Sequence, residues 1–259
     1  MHVDRGLLIN VFQDETFRRV LAGIRRRQPA SPPAQAEPIT LPILQQIVNV
    51  EVDVAQLSIH DRIDELNIVA AITTAYGGFL RSGEFTYDAK DLKDKRTFEH
   101  TSLLRSDVTF SNSDDHVVIA LKRSKTDYEQ KGVAIVVAAS STSTCPVQAL
   151  RRLFAEDPQP PYAPLFRFST KVFSYRNFVT ALRSRISNHN IPNSTLFTGH
   201  SLRRGAATSA KLHGMLDSDI QRLGRWTSEA FQRYINTDIS YRFRLSHQFI
   251  TGGCLPFSP

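Results

Sequence analysis

The stretch 198-TGHSLRRGAATSA-210 sets a histidine three residues before an arginine and adds a second arginine directly after it. Small residues follow at Gly205, Ala206, Ala207, Ser209 and Ala210. Thr198 or Ser201 can cap a helix running to about Leu212, with Gly214 as its terminator. Residues three apart share a helical face, so His200 and Arg203 are expected to point the same way near the positive end of the helix dipole. Such a place suits an anion, and phosphate above all. The small residues let the helix approach a neighbour closely. Taken alone, HxxR is equally a capping histidine beside a solvated arginine, so the rest of the chain has to decide.

The charge distribution favours phosphate. The 259 residues carry a formal net charge of +7, and the isoelectric point is about 9.6. From Leu165 to His247 there are thirteen Lys/Arg against four Asp/Glu, a local net of +9, so the remainder of the chain sums to −2. The basic excess lies in the same segment as HSLRR, as a face that tracks a nucleic-acid backbone requires. An apolar content of 41% supports a real core. Cys145 and Cys254 give no disulfide framework and point to a reducing compartment. No apolar run reaches membrane-spanning length, so no membrane partner is expected. The start, MHVDRGLLINVFQDE, does not read as a signal peptide, and Arg25, Arg26 and Arg27 read as a basic helix end in preference to a weak nuclear signal.

Organisation follows from punctuation and period. Residues 6–27 read as a helix, and 28-QPASPPAQAEP-38 reads as a linker. The expected division is therefore 1–27 as the last helix of an N-terminal domain, 28–39 as linker, and 40–259 as the catalytic domain. Helical patterns are expected at 40–50, 59–81, 146–155, 174–189, 199–213, 217–225, 227–236 and 239–250. Between 104 and 139 the period changes. SDVTFS, HVVIALKRS and GVAIVVAA are β-branched-rich and separated by turn-like NSDD and KTDYEQKG, which predicts a three-stranded antiparallel sheet. The expected fold is α+β and mostly helical, with that small sheet.

Four further positions could carry chemistry. In 76-YGGFLRSGEFT-86, Arg81 reads as the cation at a helix C-terminus, with Gly83 as terminator and Glu84 three residues on. The hairpin 122-KRSKTDYEQKG-132 carries Lys122 and Lys125, which also suit a protected edge strand. In 222-RLGRWTSEAFQRYI-235 stand the single tryptophan, Trp226, and Tyr234, which a half-buried core position would also explain. Two arginines, a lysine, a histidine, a tryptophan and a tyrosine together suit phosphoryl transfer without a metal. The arginines hold non-bridging oxygens and stabilise charge at a five-coordinate phosphorus. The tyrosine attacks, and histidine and lysine handle protons. The sequence offers no HxH, CxxC or dense Asp cluster for a metal, and no cofactor is implied.

This set resembles the tyrosine recombinases, which cut and rejoin DNA through a phosphotyrosine, over roughly residues 40–250. The resemblance gives Arg81 and Glu84 from GFLRSGE, Lys125 from RSKT on the hairpin, His200 and Arg203 from HSLRRG, Trp226 from GRW and the nucleophile Tyr234 from FQRYI. Lys122, Arg123, Arg204 and Arg225 stand beside them and are expected to contact DNA. The wording GFLRSGE…GRWTSEAFQRYI is similar to recombinases of eukaryotic DIRS- or Crypton-type mobile elements, which implies a nuclear compartment. The family also implies double-stranded DNA as partner, and self-association from dimer to tetramer on DNA through a C-terminal helix at about 239–250. Its apolar stripe is Tyr241, Leu245 and Phe249. The chain departs from the family at the N-terminus, where at most one helix of the core-binding domain is left. A type IB topoisomerase, and a non-catalytic DNA-binding module derived from a recombinase, remain as alternatives.

Overall fold

In the computed structural model, residues 15–17, 19–20, 36–49, 57–122, 132–228 and 231–232 are described. The chain divides into two compact units, Met1–Gln35 and Ala36–Pro259. In the first, residues 15–17 and 19–20 are helical, and Glu15 pairs with Arg19 one turn on at the surface.

The second unit is organised around one helix that is buried nearly all round. Helix α1 spans Leu41–Val48 and starts with a proline in its first turn, where the missing N–H costs nothing. Helix α2, Ile59–Gly77, is capped by Ser58, whose Oγ accepts from the Asp61 amide at 3.2 Å. From Leu66 to Ala75 it carries no solvated stripe, only a half-buried Val69 among buried residues. A helix so placed must satisfy its own polar groups. Thr73 Oγ1 donates to Val69 O at 2.9 Å, and Asn67 Nδ2 donates to Ile63 O at 2.9 Å. A single turn, α3 (Ser82–Phe85), and helix α4 (Lys95–Thr101) follow.

The expected sheet is present, with β1 Val108–Phe110, β2 His116–Leu121 and β3 Val133–Ala138 in the order β1-β2-β3, all antiparallel. Val117, Ile119 and Leu121 pair with Val137, Ile135 and Val133, which turns one apolar row toward the core. Helix α5, Pro146–Glu156, packs on α2. Helix α6 is Tyr175–Asn188, α7 is Ser201–Leu212 and α8 is Asp217–Leu223. Phe85 stands edge-on to Phe166 and Phe178, with centroids at 6.1 and 5.0 Å. Buried Asp157 ties three segments together, accepting from Asn67 Nδ2 and Arg105 Nη2 at 3.1 Å and from Arg167 Nε at 2.9 Å.

The small face of α7 meets backbone. A Cβ on Gly205 would lie 1.7 Å from Ile39 O. The approach of the Ala36–Thr40 strap is fixed by Glu37 N to Leu196 O at 3.1 Å, Ile39 N to Ser201 O at 3.0 Å and, just beyond it, Leu41 N to Ser209 Oγ at 3.1 Å.

Three expectations change. Helix α2 ends at Gly77 instead of Arg81, because Gly78 caps it and Phe79 turns left-handed at φ 49°. Gly83 is therefore inside the α3 turn and terminates nothing. The helix expected to open at 227 opens on a bend at Thr227 and Ser228, with Phe231 and Gln232 in a 3-10 turn. The terminal helix expected at 239–250 lies outside the described residues.

Candidate active site

The first turn of α7 builds the centre of the site. Ser201 Oγ accepts from Thr198 N at 2.9 Å and Thr198 Oγ1 accepts from His200 N at 3.2 Å, so the two hydroxyls brace the turn that enters the helix. His200 takes the N-cap position itself and is exposed. Arg203 lies in the first turn and is 1% exposed. Its Nη1 donates to Phe79 O and its Nη2 to Gly224 O. The guanidinium carbon lies 4.1 Å from the ring centroid of Trp226, the stacking that a weakly hydrated arginine favours. The expected shared face of His200 and Arg203 thus takes the form of an exposed cap over a buried cation.

GFLRSGE meets this turn from the side. A Cβ on Gly199 would fall 2.7 Å from Ser82 Oγ and 2.5 Å from the Tyr175 ring, so the loop before His200 lies directly on the residue after Arg81. Arg81 stands at the N-cap of α3, where its amide donates to Glu84 Oε2 and its Nη1 to Glu84 Oε1, both at 2.8 Å. The Glu84 side chain is 4% exposed and that of Arg81 18%. Arg225 comes to the same carboxylate from the other end of the chain, with Nη2 2.8 Å from Glu84 Oε2. One carboxylate therefore orients two guanidiniums.

Trp226 closes the site against a small apolar cluster of Phe79, Ala206, Ala207, Ile220 and Phe231. It stands edge-on to Phe79 at 6.2 Å and tilted against Phe231 at 6.1 Å. A Cβ on Gly224 would enter the indole ring at 1.5 Å, so only glycine fits at that turn.

Of the expected residues, Arg81, Glu84, Arg203, Trp226 and Arg225 share one linked cluster, and His200 adjoins it through Gly199. Arg225, expected as a DNA contact, is turned inward. Its side chain is 13% exposed and faces Glu84 and two backbone carbonyls, and burial lowers its pKa against the pull of Glu84. Lys122 is also held by its own protein: Nζ pairs with Asp107 Oδ2 at 2.8 Å and donates to Glu99 O at 2.8 Å. Arg204 is half-buried on α7. Lys125, Arg123 and Tyr234 lie outside the described residues. Sequence reasoning missed the carbonyls of Phe79 and Gly224, which receive the arginines. The adjacent glycines in YGGF and the glycine of GRW are the available signals for such turns.

Two solved recombinases share this architecture. XerA recombinase superimposes with a TM-score of 0.56 at 19% identity, covering 84% of this chain and 66% of that one. XerH site-specific recombinase, bound to palindromic difH substrate in a post-cleavage complex, gives 0.56 at 14% identity over 85% of this chain and 53% of that one. The fold is that of a tyrosine-recombinase catalytic domain, mostly helical with a three-stranded antiparallel sheet. In sequence, the chain is 27% identical over 240 residues to the integrase/recombinase xerD homolog of Selenomonas ruminantium, and this covers 87% of the chain and 61% of the relative. The chain thus spans less than two thirds of the curated relative that it matches. No family model matches it. Sequence and fold likeness together support the tyrosine recombinase/integrase family.

Proposed function

We propose that this chain is the catalytic domain of a tyrosine recombinase that cuts and rejoins double-stranded DNA, in site-specific recombination or in integration and excision of a mobile element. The observation that carries the reading is the convergence of GFLRSGE, HSLRRG and GRW on one cluster, with Arg81 and Arg225 joined on Glu84 and Arg203 and Arg225 joined on the Phe79 carbonyl. Arg81 and Arg203, held on rigid acceptors, are preorganised donors for charge developing on phosphate oxygens. Arg203 is covered, so a phosphate reaches it only when part of that cover opens.

In the proposed reaction the Tyr234 hydroxyl attacks the scissile phosphorus and loses its proton, with His200 as acceptor. A bond forms from tyrosine oxygen to phosphorus, and the bond to the 5′ oxygen breaks. The leaving oxygen takes a proton from Lys125, and the 3′ phosphate stays on the tyrosine. A 5′ hydroxyl reverses the steps in rejoining. Phe231, three residues before Tyr234, is buried beside Trp226.

The test is a DNA duplex nicked near the cut, which traps the covalent adduct. The wild type is expected to accumulate adduct, and Tyr234→Phe to bind DNA but form none. An adduct at normal yield from that variant would refute the assignment, and site-independent relaxation of supercoiled plasmid would make the chain a topoisomerase. The mobile-element and nuclear readings rest on the wording of the motifs. Assembly through residues 239–250 rests on their apolar stripe and on the resemblance. Truncation after Asp238 should abolish two-site DNA complexes while sparing one-site binding; unchanged two-site complexes would rule that assembly out.

A further inference from the structure

Arg225 takes no step in the proposed chemistry, and its backbone is unusual. It holds φ 56°, the left-handed region, between Gly224 and Trp226. A side chain other than glycine persists there only where its surroundings over-determine it. Here they do. Nη1 donates to Gly78 O at 3.0 Å, and Nη2 donates to Phe79 O at 3.2 Å and to Glu84 Oε2 at 2.8 Å. Phe79, one of those acceptors, is itself left-handed at φ 49°. The backbone on either side is pinned as well, with Arg225 N on Arg222 O and Trp226 N on Gln221 O, both at 3.0 Å.

We infer that Arg225 is a positioning residue that locks the Leu223–Trp226 turn onto the Gly78–Glu84 turn and thereby fixes Arg81, Arg203 and Trp226 relative to one another. Each link is a contact already described. Glu84 gives Oε1 to the Arg81 guanidinium and Oε2 to Arg225, so Arg225 sets the carboxylate that aims Arg81. Arg203 donates to Phe79 O, which Arg225 also grips, and to Gly224 O, the carbonyl immediately before Arg225. Trp226, the next residue, stacks on Arg203. Arg225 does this from a position 13% exposed, facing protein. The inference rests on the recombinase reading only for what the aligned groups do, since the lock itself is a matter of geometry.

The test uses the full chain and its single tryptophan, Trp226, as an internal reporter. Arg225→Gly keeps the left-handed backbone without strain and removes the side chain with its guanidinium. It should melt within a few degrees of the wild type and bind nicked duplex with nearly unchanged Kd. Misplacement of aligned groups on the order of 1 Å costs roughly 100-fold, so its single-turnover adduct rate should fall about 10- to 100-fold. Acrylamide quenching of Trp226 fluorescence should rise clearly as the ring loses its place on Arg203. Added guanidinium ion, at concentrations that leave the fold intact, should restore part of the rate where ammonium ion does not, because a planar fork is required. Wild-type rate and wild-type quenching in Arg225→Gly would overturn the inference. So would weakened DNA binding with an unchanged rate at saturation, which would make Arg225 a DNA contact. If the wild type forms no adduct on any substrate, the recombinase reading fails separately, and quenching alone then decides: an unchanged value refutes the lock, a raised value supports it.

Discussion

Replacing Gly205 with alanine puts a methyl group into backbone that is already there. The new Cβ would lie 1.7 Å from Ile39 O and 2.2 Å from Ile39 C. Optimal carbon contacts lie at about 3.5–4.0 Å, so α7 and the Ala36–Thr40 strap must part by roughly 1.5–2 Å. That movement breaks Ile39 N to Ser201 O and strains Leu41 N to Ser209 Oγ, at about 0.5–1.5 kcal/mol each. Overpacking adds about 1–3 kcal/mol, and the better helix propensity of alanine returns about 1 kcal/mol. The expected loss is about 3 kcal/mol, or a Tm lower by roughly 6–12 °C in a domain of this size. Urea and thermal unfolding followed by circular dichroism read it directly. Gly83→Ala is the control: it sits in a helical turn with nothing within 4 Å of its Cβ, so it should be neutral or gain up to about 1 kcal/mol. If Gly205→Ala melts with the wild type, the close approach of strap and helix is wrong, and with it the account of why this helix is built from small residues.

The other predictions concern chemistry and charge. Alanine at Arg81 or Arg203 should slow cleavage by roughly 100- to 1000-fold, the usual cost of removing a preorganised transition-state donor. Arg204→Ala should cost much less, and an equal loss there would mean that the HxxR motif is misassigned. Lys125→Ala should be rescued by a substrate with a 5′-bridging sulfur, whose leaving group needs no proton, whereas rescue of Lys122→Ala instead would move the role to that neighbour. Asp157→Asn leaves Arg105 and Arg167 without their shared carboxylate and should destabilise by about 3–5 kcal/mol at pH 7. Burial pushes the Asp157 carboxyl up, but Arg167 and Asn67 reverse this and hold it below the ordinary carboxylate value. A lowered folded pKa gives stability that is present above the unfolded value of about 4 and lost as pH falls through the folded one. The gap between wild type and variant should therefore begin to close below about pH 4, and an undiminished gap at pH 3 in urea titrations would contradict the assignment.

Much of the fold is written locally, and that part could be read. Ser58 and Ser174 cap the helices expected after them, prolines open α1 and α5, and β-branched runs mark the three strands. What escaped is set by distant partners. Helix α3 is four residues long, too short for a period to show, and α4, KRTFEHT, has one large apolar residue, Phe98, and so no stripe. GFLRSGE looks like a helix end because Gly77 and Gly78 do end one, but the left-handed Phe79 then turns the chain so that Arg81 begins a new turn. The arginines of the candidate site stood out in the sequence because the proposed phosphate chemistry calls for them, whatever fold presents them. The inward turn of Arg225 was not, since its partner Glu84 lies 141 residues away. No propensity encodes a left-handed arginine, and only the assembled turn does so.

The strap on α7 has a mechanical consequence. The described part of the second unit opens on bonded chain. Its first ordered bonds run through Glu37, Ile39 and Leu41 to Leu196, Ser201 and Ser209, which bracket His200 and Arg203. Ser201 lies between those two residues, and Ile39 grips its carbonyl. The entry of the second unit is thereby tied to the turn before α7 and to the helix that carries His200 and Arg203.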